Sequence, residues 1–90
     1  MPEQPEKNKE SDLAPELLEK IRIKFAEELD ARAAKSPNWA KLLGPEIGEK
    51  IICGEKAPRK SSVETVLLHV AEEFGFKQDT IDKLFGELLG

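Results

Sequence analysis

Apolar residues recur at spacings of three and four along most of this chain, which is the pattern of amphipathic helices. The first such run starts at Leu13 and continues through Leu18, Ile21, Phe25 and Leu29. These side chains share one face of a helix. The sequence therefore predicts a long first helix with its apolar stripe turned inward.

Two short helices are predicted next. Ser36 suits an N-cap and Pro37 the first helical position. Gly44 ends that helix, Pro45 can begin another, and Gly54 ends the second. The residues expected to face the interior are Trp39, Leu42, Leu43, Ile47, Ile51 and Ile52.

Two longer helices complete the pattern. Ser61 and Glu64 have the spacing of a capping box, Gly75 closes the helix behind them, and Asp79 is predicted to cap the last helix. The inward residues expected on these two helices are Val63, Val66, Leu67, Val70, Phe74, Ile81, Leu84, Phe85, Leu88 and Leu89. No long stretch alternates apolar and polar residues. The predicted fold class is all-α, a small antiparallel bundle with five visible helices.

The length of 90 residues permits one small domain with a modest core. Residues 1–12 offer little to bury and are predicted to be a disordered tail, which leaves residues 13–90 as the helical bundle. No run of apolar residues is long enough for a membrane span, and no secretory leader is evident. Together with a lone cysteine, this favours a cytoplasmic setting.

The net charge is −4, from 14 Lys and Arg against 18 Asp and Glu. This is the wrong sign for a protein that binds phosphate backbones, so the net charge argues against a nucleic-acid partner.

Candidate chemistry is sparse. Ser61 and Ser62 precede His69 on one predicted helix, but capping explains both serines better than hydrolysis does. Cys53 is interpreted as a small packing residue rather than a nucleophile. A single histidine and a single cysteine do not make an ordinary zinc site. We therefore expect no catalytic, metal or cofactor site, and no small-molecule substrate.

Charged residues are the remaining candidates for function. Lys56, Arg59 and Lys60 share one polar loop, while Glu72 and Glu73 lie opposite the buried stripe of the next helix. Such runs are often only solvated faces. A basic loop and acidic helix faces on one domain would also suit asymmetric, head-to-tail contact between like domains.

The order of these motifs resembles that of death domains. The sequence LDARAAKSPNWAKLL (29–43) is similar to the junction of helices 1 and 2 in that family, where a tryptophan follows a short polar turn. RKSSVETVLLHV (59–70) resembles the opening of helix 4, and DTIDKLFGELLG (79–90) resembles helix 5. The nearest likenesses are the death domains of Toll/interleukin-1 receptor adapters and kinases and of netrin receptors.

The resemblance spans residues 13–90 and departs from the family in two ways. Ser62 and Val70 stand where many relatives carry Pro and Trp. The family also has six helices, whereas only five are predicted here and the sixth is missing.

The resemblance implies a non-enzymatic adapter that joins other death-fold domains, or itself, in signalling for innate immunity and apoptosis. Such contacts use charged patches at helix ends and loops. The implied partner-binding residues are Lys56, Arg59, Lys60, Asp30, Arg32, Lys35, Glu72 and Glu73.

Two alternatives stay open. One is a small helical nucleic-acid-binding protein that uses the basic loop at residues 56–60. The other is a regulatory subunit whose open apolar edge receives a helix from an unrelated protein.

Overall fold

The computed structural model describes residues 14–90, and about three quarters of them are helical. The predicted tail, residues 1–12, lies outside the described residues. The helices are α1 (Pro15–Lys35), α2 (Pro37–Leu43), α3 (Ile47–Ile52), α4 (Ser61–Glu73) and α5 (Gln78–Leu88). Four of them have seven residues or more, and α3 has only six. No strand is present among the described residues, so the all-α prediction is confirmed.

The long helix α1 packs against α2, α3 and α4, and α5 packs against α4. The helices enclose one hydrophobic core. Its members are Ile21, Phe25, Ala26, Leu29, Leu43, Ile47, Ile51, Ala57, Val63, Val66, Leu67, Val70, Ala71, Ile81, Leu84, Leu88 and Leu89. All of the predicted stripes contribute to it because residues three and four apart lie on one helix face.

Trp39 is half-buried and packs against the edge of this core, together with Leu18, Leu42 and Phe85. The core role predicted for Trp39 is therefore confirmed for only part of the indole. The remainder faces the surface of the domain.

Three side chains predicted to be inside are exposed. Ile52 follows Ile51 by one residue, a rotation of about 100° on a helix, so the two cannot share the inward face of α3. Cys53 lies at the end of the same short helix and is exposed and free, which contradicts its predicted packing role. Phe74 comes after the last helical residue of α4 and stacks on Phe76, with ring centroids 5.8 Å apart.

Two predicted caps are also wrong. Lys60 and Lys77 have extended backbones and occupy the N-cap positions of α4 and α5. Ser61 is consequently the first residue of α4, and Asp79 lies within the first turn of α5. Neither N-cap makes a side-chain hydrogen bond. Serine and aspartate favour N-cap positions, but the N-cap of α4 lies one residue before Ser61 and that of α5 lies two residues before Asp79.

The turn between α2 and α3 differs from the prediction because Glu46 adopts a left-handed conformation with φ 56° and ψ 40°. This residue cannot belong to a right-handed helix, so α3 begins at Ile47 rather than at Pro45. The predicted end of α2 at Gly44 is confirmed, as this glycine has a φ of 84°. At the start of α2, Ser36 and Pro37 occupy the predicted positions.

Candidate interaction surface

The basic loop at residues 56–60 is attached to the end of α5. Ala57 is buried and donates its N–H to the carbonyl oxygen of Leu88 at 2.9 Å. Gly90 donates its N–H in turn to the carbonyl of Ala57, also at 2.9 Å. These two hydrogen bonds form a short parallel bridge, so the loop has a defined position on the domain.

Two of the three cations in this loop bind within the chain. Lys56 Nζ donates to the carbonyl of Gly86 at 3.0 Å, and Arg59 Nη2 donates to that of Phe85 at 3.2 Å. The last carbonyls of a helix carry its negative dipole end. The Phe85 carbonyl also accepts the backbone N–H of Leu89 at 3.0 Å. Arg59 Nη1 also lies 3.9 Å from Glu64 Oε2. Lys56 and Arg59 are exposed, but they stabilise the end of α5.

Lys60 differs from its two neighbours. It is exposed, and its side chain makes no hydrogen bond or ion pair within residues 14–90. Its backbone occupies the N-cap position of α4, so its charge lies beside the first turn of that helix. Lys60 is therefore the cation of this loop that is best placed to meet a partner.

Arg32 lies between a carboxylate and an aromatic ring. Its Nη1 donates to Glu28 Oε1 at 2.8 Å, and its guanidinium carbon is 5.9 Å from the centre of the Trp39 ring. Lys24 Nζ is 3.4 Å from the same glutamate. The Arg32 hydrogen bond, with a further contribution from Lys24, lowers the pKa of Glu28 although partial burial opposes the shift.

The remaining predicted residues of this region behave differently from one another. Asp30 Oδ1 accepts the backbone N–H of Gly48 at 3.1 Å, so this carboxylate joins α1 to α3. Lys35 is exposed in the last turn of α1, where a positive charge is favourable to the helix dipole.

Glu72 and Glu73 are exposed at the C-terminal end of α4, and the last turn of that helix has no basic residue. Negative charges at this end oppose the helix dipole, at a typical cost of about 0.3–1 kcal/mol each at low ionic strength. The eight predicted residues are therefore spread over several faces rather than gathered into one site.

A shallow hollow of about 160 Å³ opens between α2 and the first turn of α4, and sequence reasoning did not predict it. It is lined by Asn38, Trp39, Leu42 and Ser62. The helical spacing of Trp39 and Leu42 indicated a common face on α2. The proximity of Ser62 comes only from the packing of the helices.

The candidate catalytic residues lie apart from one another. Ser62 and His69 are exposed and seven residues apart on α4, about 10 Å along the axis. The carbonyl of Ser61 accepts a hydrogen bond from Thr65 Oγ1 at 2.9 Å. No group of three or more metal-binding side chains occurs among the described residues. Within the same part of the chain, no helix has the length and apolar character required to cross a membrane.

Comparisons of the chain with protein-family models, with curated proteins and with solved structures find no match.

Proposed function

We propose that this chain is a non-enzymatic, cytoplasmic interaction module that assembles signalling complexes through contacts between like helical domains. The proposal adopts what the resemblance to death domains implies about fold and partners. Its main structural support is the position of opposite charges at the two ends of α4. Lys60 lies at the N-terminal end, and Glu72 and Glu73 lie at the C-terminal end.

The basic and acidic ends of α4 are too far apart to interact strongly within one molecule. From Lys60 to Glu73 the chain advances thirteen residues, about 20 Å along the helix axis. Charges this far apart in water interact weakly within one molecule, because their separation exceeds the Debye length of about 8 Å at physiological ionic strength. A second copy aligned head to tail would bring its acidic end against the basic end of the first. Such complementarity gives orientation and specificity to an encounter.

The unfavourable position of Glu72 and Glu73 supports the same proposal. Both carboxylates oppose the dipole of α4 and neither forms an ion pair within residues 14–90. A cationic partner would relieve this repulsion. Charges that destabilise the free domain in this way are reasonable candidates for contacts made in an assembly.

The basic loop supports nucleic-acid binding less well. Lys56 and Arg59 already bind the carbonyls at the end of α5. Phosphate binding by these two residues would compete with those hydrogen bonds.

The test is light scattering over a concentration series up to about 1 mM, at low and high salt. We expect association that increases with protein concentration and weakens with salt. Lys60→Glu should weaken it at least about tenfold, because like charges would then meet at the contact. Lys83→Glu is the matched control, since Lys83 is exposed on α5, away from both ends of α4.

A wild-type chain that stays monomeric over the whole series, and does not bind purified death domains, would contradict the proposal. Steep, salt-dependent binding of duplex DNA by the same samples would favour the nucleic-acid alternative instead.

A further inference from the structure

Helix α4 has an apolar recess at one end and an exposed aromatic side chain at the other. Ser62, in its first turn, lines the hollow formed with Asn38, Trp39 and Leu42. Phe74 directly follows its last residue and is 36 % exposed. The two features are separated by about 18 Å along the helix axis, too far for Phe74 to reach the hollow of its own chain.

The hollow has the size and character to accept one apolar side chain. Its volume is about 160 Å³, room for one aromatic ring, and the hollow is open to solvent on one side rather than enclosed. The indole of Trp39 and the side chain of Leu42 supply apolar walls. An aromatic ring at such a site also gains from ring–ring contact with the tryptophan.

The surroundings of the two features are oppositely charged. Arg32 lies over the ring of Trp39, and Lys60 precedes Ser62 by two residues. Phe74 directly follows the exposed carboxylates of Glu72 and Glu73. We call residues 72–74 the acidic corner. Arg32 is already paired with Glu28, so Lys60 is the cation beside the hollow that is available to the two anions beside the ring.

We infer that the acidic corner of one copy docks on the hollow of a second copy, with Phe74 inserted against Trp39 and Leu42. This inference rests on the proposed assembly of like domains and identifies its contact. Each copy presents one corner and one hollow, so the interface joins two different surfaces. Such contacts extend into open chains, or into rings where the rotation closes.

Single substitutions test each half of the contact. Phe74→Ser removes the inserted ring, and Ser62→Phe fills the hollow. Each is expected to weaken association of the full chain at least about tenfold by light scattering, as for a central interface residue. Ile52→Ser is the matched control, because Ile52 is 52 % exposed but lies on α3. Circular dichroism establishes that all three variants keep the helical content of the wild type.

A mixing experiment gives the decisive result. The Phe74→Ser chain retains an intact hollow, and the Ser62→Phe chain retains an intact acidic corner. Neither should assemble alone, but an equimolar mixture should form a 1:1 dimer that does not grow further. Contacts elsewhere on the domain would not produce this complementation.

The outcomes separate this inference from the proposed function. If the wild type assembles and the two variants assemble equally well, the docking of Phe74 in the hollow is wrong while assembly of like domains stands. If the variants are monomeric but their mixture yields no dimer, the inference is also overturned. A monomeric wild type rejects both.

Discussion

The backbone N–H of Gly48 donates a hydrogen bond to Asp30 Oδ1 at 3.1 Å, across eighteen residues of chain. Gly48 is the second residue of α3, and the N-cap of that helix, Glu46, provides no side-chain acceptor. The Asp30 carboxylate on α1 takes its place. A Cβ at residue 48 would overlap this carboxylate, so a larger residue there would displace the Asp30 side chain and break the hydrogen bond.

Gly48→Ala is expected to change the stability of the domain little, because loss of the Asp30 hydrogen bond, about 1 kcal/mol, offsets the helix-propensity gain of about 1 kcal/mol. Gly86→Ala is the control. Gly86 lies in α5 with nothing within 4 Å of an added Cβ, so this change should stabilise the domain by about 0.5–1 kcal/mol. Denaturant unfolding measures both. Equal effects of the two substitutions would show that residue 48 has room for a side chain.

Asp30→Ala should cost about 1 kcal/mol, as for loss of a helix-capping acceptor. Gly48→Ala should then stabilise the Asp30→Ala chain, because no carboxylate is left to displace and the helix-propensity gain remains. A double-mutant cycle measures this coupling. Additive effects of the two substitutions would mean that the two residues do not interact.

Glu46→Gly is expected to raise the free energy of unfolding by about 0.5–1 kcal/mol. The φ of 56° at Glu46 is unfavourable for a residue with a Cβ atom and is not unfavourable for glycine. Glu49→Gly, three residues later within α3, should lower it by a similar amount, since glycine is unfavourable inside a helix. Thermal or urea unfolding compares the two. Destabilisation by both substitutions would contradict the left-handed conformation at Glu46.

The lowered pKa of Glu28 predicts a specific pH dependence. Its hydrogen bond to Arg32 favours the ionised carboxylate in the folded state. The stabilisation is therefore complete above the ordinary pKa of 4.5 and is lost as the pH falls through the lower folded pKa. The difference in unfolding free energy between wild type and Glu28→Gln should shrink over that acidic range. In an Arg32→Ala background, the pH dependence of this free-energy difference should be weaker. An unchanged pH dependence would mean that Arg32 is not the cause of the lowered pKa of Glu28.

Lys56→Ala and Arg59→Ala should each destabilise the domain by about 0.3–1 kcal/mol, because each removes a cation from the carbonyl end of α5. Lys60→Ala serves as the comparison and should not destabilise the domain, since its side chain has no partner within residues 14–90 and its positive charge lies at the N-terminal end of α4, where the helix dipole disfavours it. Urea unfolding at low salt is the measurement. Identical effects for all three residues would show that the loop is not attached to α5 through these side chains.

Sequence patterns predicted the buried faces because helical periodicity is a local property of the chain. Val63, Val66, Leu67 and Val70 lie where their spacing placed them. The same reasoning failed at helix ends. Phe74 continues the stripe of α4 by spacing, but the helix stops at Glu73 and the ring stacks on Phe76 instead.

The candidate site was less predictable than the core. Its charged residues were recognised as exposed, but exposure did not reveal which ones bind within the chain. Arg59 and Lys60 are adjacent and have the same charge, yet only Arg59 reaches the end of α5. That difference depends on how the loop packs against α5, since the carbonyl that Arg59 binds is 26 residues further along the chain. No local sequence pattern predicts such a contact.

The sequence by itself determined the helical class and most of the inward faces, because the burial of an apolar stripe follows from the order of residues along each helix. Only the tertiary structure determined where the helices end and which charged side chains bind within the chain. It placed Asp30 against Gly48, attached the basic loop to α5, and brought Ser62 beside Trp39 to form a hollow. These contacts join residues distant in the chain, so they depend on how whole helices pack rather than on the neighbours of any one residue.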